Sequence, residues 1–218
     1  MSNSYESVLN HIELHGYEFR FVEYFKNGFR LFKKYPFGFL SYGINISLVI
    51  YFSGFLGIPG SIISNLLQPV FLAGIYIVAN DLLREQTPGY TRFFSGFEQF
   101  AKLFVAQIVT FSLVFLGLLL LVLPGIYLAV CYSFTVFFIV FMKYDYRKAM
   151  DWSRKIVRIN FWPVLGFMLV IGLINVLGAL AFGIGLAFTL PFTACVMFSA
   201  FEDVISTAAE KTGGVGEY

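Results

Sequence analysis

His11 and His15, in "NSYESVLNHIELHG", stand four residues apart, which puts two imidazoles on one face of a helix. A structural zinc site needs four ligands and a catalytic one three. Glu13 lies between them but points elsewhere on a helix, and the run is not the His-Glu-x-x-His arrangement of zinc proteases. The pair reads as two surface or interfacial histidines, and no metal or cofactor is expected. Cys131 and Cys195 each stand alone in an apolar stretch, where a cysteine behaves as a small hydrophobe. Asp81, Asp145, Glu202 and Asp203 border apolar runs and are expected to pair with nearby Lys and Arg or to cap helices. No Ser/His/Asp arrangement, phosphate-binding glycine loop or paired carboxylate is visible, so no enzyme is expected.

Two other sets of polar residues remain. One is a scatter of amides inside apolar sequence: Asn45, Gln68, Gln107 and Asn175. Such groups either hydrogen-bond between helices or line a shared polar pocket for a lipid or small solute. Gln68-Pro69 is the sharpest irregularity, because a proline frees a backbone carbonyl beside an amide. Gly166, Gly172, Gly178, Gly183 and Gly185 suggest close helix packing.

The other set is cationic. Lys143 to Arg158 holds six basic and two acidic residues in a helical pattern. Arg147, Lys148, Arg154, Lys155 and Arg158, with Arg30, Lys33 and Lys34, are candidate contacts for anionic lipid head groups. Each basic residue near an anionic surface contributes about 1 kcal/mol. No basic-aromatic surface requires a nucleic acid.

These residues are carried on an unusually apolar chain. Hydrophobic residues make up 58% and charged ones 13%, against roughly 25% charged in a soluble domain. That leaves too little charge for a polar shell, so the class expected is an all-α integral membrane protein. Three runs carry no charge at all: Tyr35–Asn80, Leu103–Met142 and Ile159–Phe201. Each is about twice the roughly 20 residues one crossing needs. Each has a breaker near its middle: Pro59-Gly60, Pro124-Gly125, and Gly183-Ile184-Gly185 with Pro191 beyond. Six transmembrane helices follow, at about 37–57, 61–81, 104–123, 125–142, 162–183 and 186–203.

Amphipathic stretches precede the runs. Phe21, Phe25, Gly28, Phe32 and Tyr35 share one helical stripe; Phe93, Phe97, Phe100 and Phe104 share another; Ala149, Trp152, Ile156 and Ile159 a third. Basic polar faces over aromatic ones suit helices lying in a membrane interface. The chain thus reads as a cytoplasmic segment 1–16, a six-span domain 17–206 and a flexible tail 207–218. The domain divides into repeat units 17–83, 90–143 and 145–205, each an amphipathic helix followed by a hairpin. In the first segment Asn3 with Glu6 resembles a capping pair, and Gly16 is the expected helix stop. All fifteen Lys and Arg lie outside the charge-free runs. With six spans these segments fall on one side, so both termini are expected in the cytoplasm of a bacterial inner membrane.

The stretch "LPGIYLAVCYSFTVFFIVFMKYDYRKAMDWSRKIVRINFWPVLGF" (123–167), with "FKNGFRLFKKYPFGFL" (25–40), resembles a group of uncharacterised bacterial six-span membrane proteins. That group is similar to the membrane domain fused to some glycerophosphodiester phosphodiesterases. The resemblance implies a fold and a compartment. The phosphodiesterase's His/Glu/Asp constellation is missing from these residues, so that activity is not implied.

The function expected is non-enzymatic: binding of membrane lipid, a protein partner or a second copy through basic cytoplasmic-face helices. A permease or carrier for a small neutral or lipophilic solute, lined by Asn45, Gln68, Gln107 and Asn175, is the alternative. A lipid enzyme comes third.

Overall fold

The computed structural model describes residues 2–180 and 185–212. Among them no strand occurs, and six helical stretches are long and apolar enough to cross a membrane: Pro36–Phe55, Gly57–Leu83, Tyr90–Leu120, Val122–Val140, Phe161–Leu180 and Leu186–Thr212. The expected turn at Gly183-Ile184 lies outside the described residues.

The chain opens with α1 (Ser2–His15), which stops at Gly16. There φ is +71°, and the Gly16 N–H donates to the Ile12 carbonyl at 2.9 Å, as a glycine cap does. Next come α2 (Phe21–Lys34) and α3 (Pro36–Phe55), the latter with proline in its first turn. The long α4 (Gly57–Leu83) follows directly.

The break between α3 and α4 is at Leu56-Gly57, where Gly57 has φ +63°, and Pro59-Gly60 lies inside α4. The same displacement recurs at α5 (Phe100–Leu120) and α6 (Val122–Cys131). Leu121 is the extended linker there, and Pro124-Gly125 sits in the first turn of α6. A proline suits a first turn because the N–H it lacks has no partner there. Gly125 acts through its small size. A Cβ added to the glycine that faces it, Gly117, would stand 3.0 Å from the Gly125 Cα. The Pro-Gly pairs therefore start the second helix and let it approach the first, rather than forming the turn.

The second aromatic stripe is also reshaped. Tyr90–Gln99 is a 3₁₀ helix, with Phe93 and Gly96 buried and Phe97 exposed. A three-residue period replaces the expected alternation of three and four. In α2 the buried set is Tyr24, Gly28, Leu31 and Phe32, a face turned slightly from the expected one.

The apolar stretch after Pro124 is broken. α6 ends at Cys131, and α7 (Thr135–Val140) begins after a short turn. Then come α8 (Tyr146–Ile159), α9 (Phe161–Leu180) and α10 (Leu186–Thr212). α10 continues past residue 207, into the segment expected to be a flexible tail. Of the glycines expected to pack closely, Gly178 meets Thr189 and Gly185, whereas Gly166 and Gly172 have nothing within 4 Å of an added Cβ.

The chain forms two compact units. One gathers α1, α5 to α8, α9 up to Phe167, and α10 from Ala200. Its core centres on Phe201, which stacks on Phe137 at 4.7 Å between ring centroids and meets Phe134 and Phe138 edge-on. The other holds most of α2, α3, α4, the 3₁₀ segment and the rest of α9 and α10. Its core centres on Phe93, stacked on Tyr42 at 4.6 Å and edge-on to Phe39 at 5.6 Å.

Candidate functional site

In the first unit, the sequence of α8, "YRKAMDWSRKIVRI", distributes itself over three faces. Asp145 precedes it in extended conformation, and the Asp145 carbonyl accepts the Ala149 N–H at 2.9 Å. At the far end the Asn160 amide donates to the Tyr17 carbonyl at 2.6 Å. Ala149, Met150, Trp152, Ser153, Ile156 and Val157 are buried. The expected stripe of Ala149, Trp152 and Ile156 is part of this face, but Ile159 is exposed.

Ser153 is the polar member of that face, and it is fully buried. Its hydroxyl donates to the Cys131 carbonyl at 2.7 Å and accepts the Phe134 N–H at 3.1 Å. Those are the backbone groups freed where α6 gives way to α7. A buried backbone group without a partner is costly, so Ser153 both permits the break and fixes α8 against it. Sequence reasoning misses this serine, because nothing local to it signals a role.

Lys148 and Lys155 occupy one edge of α8. Lys148 pairs with Glu6 of α1, and Lys155 lies 3.2 Å from Glu13. The two-turn spacing of the lysines on α8 matches that of the glutamates on α1. The match is present in the sequence but escapes notice there, because the partners are far apart along the chain. Each ammonium also sits over a ring, Lys148 at 4.3 Å from the Tyr144 centroid and Lys155 at 4.5 Å from Trp152. The hydrogen bond to Glu6 is the main cause that holds the Lys148 pKa above the ordinary lysine range. Burial likewise pushes the Tyr144 phenol up.

Arg147, Arg154 and Arg158 are exposed on the other edge. Arg147 donates from Nε to the Tyr146 hydroxyl at 2.9 Å, the main cause that raises its pKa further. Arg154 reaches Asp151 at 3.4 Å, but Asp151 also stands 3.8 Å from Lys155. Beside this edge is an open groove of about 390 Å³, lined by Val109, Tyr132, Tyr146, Arg147, Met150, Asp151 and Arg154.

Of the other candidate cations, Lys34 donates to the Leu82 carbonyl at the end of α4 at 2.9 Å, which makes it a helix cap. Lys33 lies 4.4 Å over the Phe29 ring, and Arg30 is exposed. α2 is seated by Phe25, Phe29 and Phe32 around Phe192, and by Gly28, where an added Cβ would stand 2.6 Å from the Val196 Cα.

The amides fall into separate local settings. Asn45 donates to the Ser41 carbonyl at 2.9 Å and to the Tyr90 hydroxyl at 2.8 Å. Asn175 donates to the Thr193 hydroxyl at 3.2 Å. Gln68 lines a cavity of about 180 Å³ between α3 and α4, with Ser61, Ser64 and Asn65. Neither Asn45 nor Asn175 lines it. Gln107 lies on α5, in the first unit, half-buried.

Among the described residues, Asp81 pairs with Arg92 at 2.6 Å and Asp203 with Arg20. Thr207 accepts a further Arg20 hydrogen bond at 3.2 Å. His11 and His15 stack at 4.3 Å. Cys131 and Cys195 are buried free thiols. The chain matches no family model, no curated protein and no solved structure.

Proposed function

We propose that this is a non-enzymatic, multi-pass protein of the bacterial inner membrane that binds anionic lipid, or a protein partner, through basic amphipathic helices on its cytoplasmic face. The reading rests on α8, whose apolar side is buried while its arginines stay exposed along one edge. In this reading the apolar helices cross the bilayer as three hairpins, each entered through an amphipathic stretch: α2, the 3₁₀ segment and α8. Both termini are cytoplasmic, because all the Lys and Arg lie outside the charge-free runs. α2 and α8 lie in the interface, aromatic side inward and cations toward head groups. The likeness to six-span proteins carries no activity into this reading.

The test uses the full chain in bilayers of equal phosphatidylcholine and phosphatidylglycerol, extracted in mild nonionic detergent. Phosphorus analysis of the retained lipid is expected to find phosphatidylglycerol enriched, and less so at high salt. Retained lipid that mirrors the bulk mixture overturns the lipid reading and leaves a protein partner.

The hydroxyl and amide cavity beside Gln68 favours the permease as a second reading. Uptake of small neutral solutes into proteoliposomes, abolished by Gln68→Leu, would support it; identical uptake by empty liposomes would dismiss it.

A further inference from the structure

Diffuse attraction between a basic helix and an anionic membrane treats every cation alike. The two edges of α8 are not alike. Lys148 and Lys155 each face a carboxylate of α1. Along the other edge, among the described residues, Arg147 and Arg158 form no ion pair, Asp145 acting on Arg147 only at longer range, and Arg154 shares Asp151 with Lys155.

From this asymmetry we infer that the groove beside the arginine edge is a discrete binding site for one anionic phospholipid, with its phosphate held by Arg147 and Arg154. The inference rests on the lipid reading above and sharpens it to a ligand and a place. Charge complementarity favours this occupant, since two guanidiniums line the groove beside one lining carboxylate, Asp151, which Lys155 also approaches. Geometry favours it too. Arg147, Met150, Asp151 and Arg154 step by three and four residues, so they form one stripe facing the groove.

The Tyr146 contact engages one N–H of Arg147, and the Asp151 contact one of Arg154. A guanidinium carries five, in a planar fork that grips a phosphate by two parallel hydrogen bonds. The phenols of Tyr132 and Tyr146, at the groove wall, suit the glycerol and ester region, where one end is apolar and the other wet. Val109 supplies the apolar wall. On the same side of α5, Val105 and Leu116 remain exposed and extend a track for an acyl chain. A free phosphate ion would use the arginines alone; a phospholipid uses the track as well.

The test is a titration of the full chain, in neutral detergent, with short-chain phosphatidylglycerol followed by ³¹P NMR. Saturable binding is expected. Arg147→Gln with Arg154→Gln is expected to weaken it about tenfold. Lys148→Gln with Lys155→Gln is expected to change it less than about twofold, since those charges are already met. Arg147→Lys with Arg154→Lys retains charge and loses the fork, so it guards against misfolding, and an intermediate loss is expected. Glycerol phosphate, offered alone, is expected not to compete.

Equal losses from the arginine and lysine pairs would overturn the discrete site and leave lipid binding by the basic belt intact. Full competition by glycerol phosphate would replace the phospholipid by a free phosphate ester. A wild-type chain that distinguishes phosphatidylglycerol from phosphatidylcholine in neither titration nor extraction would remove the lipid reading itself.

Discussion

The lysine edge and the arginine edge of α8 lie on one short helix, yet they meet different surroundings. On one, Glu6 and Glu13 of α1 answer Lys148 and Lys155 at matched spacing, and Tyr144 and Trp152 lie beneath the ammoniums. On the other, Arg147 and Arg154 border a groove that they share with Asp151, and Arg158 lies exposed beyond it. A helix wheel counts these residues as equivalent. The packing of α1 engages one edge and leaves the other open.

The largest effect is expected at the residue both edges depend on. Ser153→Ala removes partners from the Phe134 N–H and the Cys131 carbonyl, and is expected to cost about 1–3 kcal/mol. Thermal unfolding in detergent measures it. Both edges should loosen together; a variant as stable as the parent would show that the break in the helix is satisfied some other way.

Next in size is a conversion of one edge into the other. Glu6→Gln with Glu13→Gln frees Lys148 and Lys155 for the membrane. Each freed cation is worth about 1 kcal/mol near an anionic surface, so phosphatidylglycerol retention should rise severalfold in the extraction assay. The stability lost with two half-exposed pairs should stay below about 1 kcal/mol each. Unchanged retention would mean that the lysine edge never faces lipid, and the comparison would become one of position rather than of charge.

The smallest effect is in salt. The gain from Glu6→Gln and Glu13→Gln should vanish near 1 M salt, where the screening length falls to about 3 Å. Binding at the arginine groove, which adds hydrogen bonds and apolar contact to charge, should retain a measurable fraction. Parallel decline of both would reduce the arginine edge to simple electrostatics.

The six apolar stretches are legible in the sequence because a run without charge, twice the length of a crossing, has few alternatives in water. Their joints are less so. Pro59-Gly60 and Pro124-Gly125 mark the returning helix rather than the turn, since a first-turn proline and a tight-packing glycine leave the same mark in sequence as a turn does. The break before Thr135 is not legible at all: Tyr132, Ser133 and Phe134 are compatible with a helix, and the Phe134 N–H and Cys131 carbonyl that the break frees are met by Ser153 from another element. The basic candidates on α8 are visible by type and spacing. Their division is not, because it is imposed by acids on a helix far away in the chain. The amides Asn45, Gln68 and Asn175 likewise carry polarity in the sequence but no address: Asn45 and Asn175 find separate hydrogen-bond partners, and Gln68 lines a cavity that neither reaches.

The most direct test of the account is to photolabel the full chain in bilayers containing phosphatidylglycerol with a diazirine on its head group, and to map the labelled residues by peptide mass spectrometry. Label is expected to concentrate on Tyr132 and on the Tyr146–Arg154 stretch of α8, and to be lost in Arg147→Gln with Arg154→Gln. Label spread evenly over all basic segments, or concentrated on α1 beside Lys148 and Lys155, would contradict it.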